Sequence, residues 1–134
     1  MIVLKGRGVV EGRAFGKTLV VDDYISFLGE IERSSGVLRK KGFPETSVAG
    51  RILFFKGSKG STVGPYVIYD LCKRGLAPSA MIVEKADQLV IISGVLCNIV
   101  LIEVREWDLV KKIPNDVDAE AYASERDAEV KIYV

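Results

Sequence analysis

Apolar positions in the first half of the chain come in short runs broken by glycine, the mark of strands and tight turns rather than long helices. Ile2-Val-Leu4 and Gly8–Gly12 alternate loosely around Gly6, Gly8 and Gly12. Thr18-Leu-Val-Val21 is a β-branched run that Asp22-Asp23 closes as a strand-ending turn. Ile25–Ile31 alternates apolar with small or polar residues, and Ser34-Ser-Gly36 supplies a turn before Val37-Leu38. Lys40–Pro44 reads as a loop, because Pro44 disfavours helix at Phe43. Val48–Phe55 is an apolar strand rich in branched and aromatic residues. Helical spacing is clear once: Val63, Val67, Ile68, Leu71 and Cys72 share one face over Val63–Arg74. Ser61 or Thr62 can cap that helix, Pro65 suits its first turn, and Lys73, Arg74 and Gly75 suit its end. Met81–Val83 and Leu89–Ile92 read as buried strands, and Asn98–Val104 as another apolar run. Trp107–Ile113 fits one or two helical turns. Ala119–Ala123 and Ala128–Val134 alternate with period two across Ser124–Asp127, a hairpin. The pattern predicts one mixed α/β domain over residues 1–134, dominated by strands, with one main helix after a glycine-rich loop.

Composition narrows the class. At 134 residues the chain suits a single moderate core, and 49% apolar with 28% charged residues is the balance of a soluble globular protein. A net charge of +1 argues against broad electrostatic binding to nucleic acid. No apolar run approaches the roughly 20 residues that span a bilayer, and Met1–Arg7 lacks the regions of a signal peptide. The expectation is a cytoplasmic protein. Cys72 and Cys97 are too few for a disulfide framework or a four-thiolate metal site, and both read as small buried hydrophobes. The absence of histidine removes imidazole bases, Ser-His-Asp and Cys-His mechanisms, and histidine metal ligands. Catalysis must use carboxylates, lysine, tyrosine, hydroxyls or groups borrowed from a partner.

Residues 57–64, Gly-Ser-Lys-Gly-Ser-Thr-Val-Gly, join the Val48–Phe55 strand to the helix. Glycines let a ligand approach the backbone, and a helix start offers unpaired N–H groups with partial positive charge, so this turn suits an anion. It is not a P-loop, since Lys59 is followed by glycine. Gly57-Ser-Lys-Gly60 matches the GXXG of KH domains, which clamps nucleic-acid backbone, but there the loop joins two helices. A stand-alone anion- or RNA-binding module is the second reading.

Ser47–Leu53, Gly57–Tyr66 and Arg74–Ala80, with Ile25–Gly29 and Ser34–Leu38 upstream, resemble the small-subunit, swivel-domain family of aconitase X, and within it the archaeal phosphomevalonate dehydratases. The resemblance spans about Gly8 to Val104 and is strongest over residues 47–83. It implies a swivelling β/β/α domain that docks on a large subunit carrying an iron–sulfur cluster of the 4Fe-4S type; this chain alone binds no cluster and is inactive without that partner. The implied reaction is dehydration of 5-phosphomevalonate to trans-anhydromevalonate 5-phosphate, in a modified mevalonate route to isoprenoids. Ser61 occupies the position of the family's proton-accepting serine, with Lys59, Gly60, Thr62 and Gly64 as the substrate-binding residues around it. The chain departs from the family in two places: many relatives carry a histidine in the loop matching Lys40–Glu45, and Pro65 replaces a small polar residue.

Each of these residues also has an ordinary role. Ser61 can be a helix cap worth about 1 kcal/mol, and Thr62 an alternative one. Gly57, Gly60 and Gly64 can exist to make the turn, and Lys59 can be a solvated loop lysine. Tyr66 and Tyr69 share a helix face suited to core or subunit packing. Whether the loop amides stabilise a serine alkoxide or hold a substrate carboxylate or phosphate is open at this level, and Trp107–Asp118 carries no recognised pattern.

Overall fold

A computed structural model describes residues 1–134. In chain order the elements are β1 (Ile2–Val10), β2 (Gly12–Ile25), α1 (Phe27–Glu30), β3 (Val37–Leu38), β4 (Thr46–Ser47), β5 (Ile52–Ser58), α2 (Gly64–Lys73), β6 (Ala80–Val83), α3 (Gln88–Cys97), β7 (Val100–Val104), a 3₁₀ helix over Trp107–Lys112, β8 (Asp118–Ala123) and β9 (Ala128–Ile132). Seven strands close into a barrel in the order β1-β7-β6-β5-β2-β8-β9, and β3 and β4 form a separate small hairpin.

The barrel has two chemically different halves. β2, β5, β6 and β7 run parallel to one another, with α2 and α3 in the crossovers from β5 to β6 and from β6 to β7. Both faces of β5, β6 and β7 are covered, which is why they read as unbroken apolar runs. Ile52, Phe54, Ile82 and Ile102 fill the barrel, while Leu53, Phe55, Met81 and Leu101 pack under the helices with Val67, Ile68 and Leu71. In the antiparallel half only one face is buried, so β8 and β9 alternate: Ala119, Ala121, Ala123, Ala128 and Val130 point inward, Glu120, Tyr122, Glu129 and Lys131 outward. The expected terminal hairpin is thus present, and its alanines fit the narrow interior of a closed barrel.

Several expectations are corrected. There is not one main helix: α3 is as long as α2, and Leu89–Ile92 belongs to it rather than to a strand. The carboxylate of Asp87 accepts the Val90 N–H at 3.1 Å and caps α3, and Asn98 ends it in the left-handed conformation. α3 is apolar on nearly every side, so no helical period shows in its sequence; Ile92, Val95 and Leu96 form an exposed stripe on it. Asp22-Asp23 do not end a strand, because β2 continues through an irregularity there to Ile25. The alternation over Ile25–Ile31 is not that of a strand: Ser26 caps the short helix α1, which carries the chain from Phe27 to Glu30. β5 begins at Ile52 rather than Val48 and extends through Ser58, which takes Gly57 and Ser58 out of the loop.

The segment without a recognised pattern has a structural account. Trp107, Val110 and Ile113 plug the barrel interior, and the Trp107 indole N–H donates to Asp22 Oδ1 at 2.8 Å. Beyond them, the Pro114 carbonyl accepts the Thr18 hydroxyl at 2.7 Å and Asn115 Oδ1 accepts the Val20 N–H at 2.7 Å, pinning the segment to β2.

Candidate functional site

β2 and β5 are parallel neighbours, with Tyr24 opposite Gly57 and Ile25 opposite Ser58, so their carboxyl ends meet at one rim of the barrel. Ligands of parallel sheets gather at that end. From it β5 passes into Lys59–Val63 and α2, while β2 passes into Ser26 and α1. The Lys59 N–H donates to the Ile25 carbonyl at 3.1 Å and stitches the two exits together.

The turn is then shaped by Gly60, held at φ +93°, where a Cβ would stand 2.9 Å from the Ser26 hydroxyl oxygen. Only glycine meets both demands without strain. Ser61 is not the helix cap that its spacing suggests, and neither is Thr62. The cap position is Val63, which is exposed rather than on the apolar face, and its side chain makes no capping bond. The Ser61 hydroxyl instead accepts the Val63 N–H at 3.2 Å, and the Ser61 carbonyl accepts the Gly64 N–H at 3.0 Å. The next three N–H groups back, those of Gly60, Ser61 and Thr62, have no acceptor within the chain. Three successive free amides beside a hydroxyl, at the N-terminus of a ten-residue helix, form an exposed donor set suited to an anion.

Lys59, Gly60, Ser61 and Thr62 therefore come together at an open lip, with Ser61 half-buried and the other three exposed. Gly64 does not join them. It is buried, its N–H is spent on Ser61, and a Cβ there would sit 3.4 Å from Phe27, so its place in the fold is close packing. Tyr66 and Tyr69 lie on the exposed side of α2, not in the core.

Two groups of residues escaped the sequence reading. Asp87 accepts the Ser58 N–H at 2.7 Å and the Ser58 hydroxyl at 2.6 Å while capping α3, so one carboxylate ties the end of β5 to the start of α3. The second group lies beneath the loop. Lys40, only 8% exposed, reaches Glu30 at 3.0 Å and Asp23 at 3.4 Å. Glu30 Oε1 accepts the Ser26 N–H at 2.8 Å, and Ser26 Oγ accepts the Gly29 N–H at 3.2 Å. Glu30 lies four residues after Ser26, one beyond the capping-box spacing of three, and nothing in the sequence marked Lys40 as its partner.

The charges in this group reinforce one another. Burial works against the ionised Glu30, but the Ser26 N–H, Lys40 and Lys59 outweigh it and hold the carboxyl below its ordinary range. Asp23 is also held low, by the Tyr24 N–H first and, against some burial, by Lys40 and Lys59. Burial likewise opposes the charge on Lys40, yet its partners, Glu30 foremost, carry it above the usual lysine value.

The cysteines lie apart from the loop, between α2 and α3. Cys72 Sγ is 3.9 Å from the Cys97 carbonyl, Cys97 Sγ is 3.6 Å from the Ile68 carbonyl, and burial pushes the Cys97 thiol up to about 12. They do not offer the thiolates of an iron–sulfur cluster, and no three Cys, Asp or Glu side chains converge as metal ligands. No helix is long and apolar enough to cross a membrane. The loop itself is uncovered: the three concave regions of the surface are lined by other residues, none of them from 57–64.

Comparison with known proteins agrees with this architecture. The family profile of the aconitase X swivel domain matches residues 3–130. The phosphomevalonate dehydratase small subunit of Archaeoglobus fulgidus is 45% identical over 104 residues, covering 75% of this chain and 76% of that one. Its counterpart in Methanocella arvoryzae is 42% identical over 112 residues, covering 82% and 85%. The crystal structure of Thermococcus kodakaraensis aconitase X in its holo-form superposes with a TM-score of 0.88 at 34% identity, over 100% of both chains.

Proposed function

This chain belongs to the aconitase X swivel-domain family, and on that premise we propose that it is the small subunit of a hetero-oligomeric hydro-lyase that dehydrates 5-phosphomevalonate to trans-anhydromevalonate 5-phosphate. The observation that carries this reading is the free N–H triplet of Gly60, Ser61 and Thr62 beside the Ser61 hydroxyl, presented at a rim that nothing on this chain covers. A phosphorylated hydroxy acid supplies the anion for such amides. An uncovered site calls for a second surface to complete it, and exposed Leu28, Val63 and Tyr66 on and beside α1 and α2 give a partner apolar contacts around the loop. The iron–sulfur cluster implied by the family is assigned to the large subunit, because this chain does not hold the ligands for one.

The reaction removes a proton from the carbon next to the carboxylate and hydroxide from the following carbon. Ser61 is the proposed proton acceptor. A hydroxyl accepts a proton well only when the deprotonated form is held by donors. The Val63 N–H already donates to Oγ, and the positive end of α2 and the ammonium of Lys59 favour the same charge. Gly60 and Thr62 amides would hold the substrate anion against that hydroxyl and align it. Of the alternative, a stand-alone anion- or RNA-binding module, the RNA half gains no support: Gly57 and Ser58 are strand residues, so the GXXG does not join two helices.

The test is anaerobic co-expression with the large subunit and an assay for the unsaturated phosphorylated acid. We expect a stable two-subunit complex that forms product, and neither subunit active alone. An active isolated chain, or an isolated chain that retains RNA and recruits no large subunit, would overturn the proposal.

A further inference from the structure

Two carboxylates, Asp23 and Glu30, stand beneath a loop built to receive an anion, an arrangement that on its own would repel the ligand. Lys40 crosses from the β3–β4 hairpin to meet both, with a side chain only 6% exposed. Its neighbour Arg39 anchors the segment. The Arg39 N–H donates to the Glu30 carbonyl at 2.7 Å, and the Arg39 guanidinium pairs with Glu32 at 3.1 Å and Glu45 at 2.7 Å. A solvated lysine would have no need of such a seat. Glu30 in turn holds the Ser26 N–H, and the Ser26 hydroxyl is the surface against which Gly60 turns.

Resting on the function proposed above, we propose that Lys40 is a positioning and charge-balancing residue for substrate: it offsets one of the two charges of Asp23 and Glu30, so that with Lys59 the group is neutral and the free amides of the Lys59–Thr62 loop meet a phosphorylated hydroxy acid with no net negative charge beneath them. The balance is simple. Asp23 and Glu30 carry two negative charges, Lys40 and Lys59 two positive ones. Lys40 never touches the ligand. Removing it leaves one uncompensated negative charge under the free amides. Lys59 is then drawn to its own carboxylates instead of the ligand.

The test uses the two-subunit complex with Lys40→Met, Glu30→Gln and the double variant Lys40→Met/Glu30→Gln. The glutamine keeps an oxygen to accept the Ser26 N–H, so the double variant restores charge balance without the lysine. Lys40→Met is expected to raise KM for 5-phosphomevalonate roughly tenfold with a smaller change in kcat, and to steepen the dependence of KM on salt. The double variant is expected to return KM to within about threefold of wild type. A double variant no better than Lys40→Met at equal thermal stability would reduce Lys40 to a structural ion pair and overturn the proposal. A wild-type complex that fails to dehydrate defeats the assigned reaction instead. The effect of Lys40 on anion binding is then read from the amide NMR shifts of Gly60, Ser61 and Thr62 in the full chain titrated with inorganic phosphate. Weaker binding in Lys40→Met, recovered in the double variant, sustains the proposal; equal binding in all three overturns it.

Discussion

Gly60 concentrates the local demands of the loop in one residue, since it combines φ +93° with a 2.9 Å approach to Ser26 Oγ. Gly60→Ala is expected to cost about 1–2 kcal/mol from the backbone alone, read from urea unfolding. Trimming the opposing hydroxyl with Ser26→Ala should recover only the steric part, so a full recovery would mean that the backbone conformation is not strained. The buried charges give a pH signature. Glu30 titrates below its ordinary 4.5, so its contribution is complete above that value and is lost as pH falls through the lower folded pKa. Lys40 titrates above its ordinary 10.5, so its contribution is complete below 10.5 and is lost as pH rises through the higher folded pKa. Urea midpoints measured from about pH 3 to 7 should fall less steeply toward acid in Glu30→Gln than in wild type. Some slope remains, because Asp23 is also held low. Identical acid limbs would show that the pair does not couple to folding.

At the scale of elements, Asp87 joins β5 to α3 with one carboxylate, accepting Ser58 twice and Val90 once. Asp87→Ala is expected to lower stability by about 2–3 kcal/mol, a cap and a charge-assisted bond together, with hydrogen exchange rising first in α3 and the end of β5. A loss below about 0.5 kcal/mol would contradict that role. α3 also shows where sequence reading stops. α2 was legible because its buried face, Val67, Ile68 and Leu71, is set off by polar residues, and because Gly75 at φ +72° closes it with the Leu76 N–H on the Leu71 carbonyl at 2.8 Å. α3 has no polar face to set the period, so its β-branched start mimics a strand. β2 was read in pieces because glycines and Asp22-Asp23 look like breaks, yet Gly16 is there for close approach to the Gly50 carbonyl within a continuous strand. The structure brings together Lys59–Thr62, which are contiguous in sequence, whereas Asp23, Glu30 and Lys40 sit on different elements with no shared periodicity and meet only once the chain folds.

For the whole molecule, a closed barrel with helices over its parallel half leaves one rim where β2 and β5 both end, and that rim carries the loop. Closure depends on β9, which hydrogen-bonds β1 on one side and β8 on the other. A chain ending at Asp127 is expected to lose cooperative unfolding, because it opens the barrel and exposes Leu4 and the β8 alanines; a sharp native-like transition would show that the open sheet suffices. In the proposed function the rim's chemistry would rest on Ser61, and the most direct measurement is single-turnover dehydration of 5-phosphomevalonate by the two-subunit complex carrying Ser61→Ala. The account predicts a rate about 10²–10⁴-fold below wild type, with subunit association and substrate affinity retained. A rate within about threefold of wild type would show that Ser61 is not the proton acceptor and that the loop only anchors the anion.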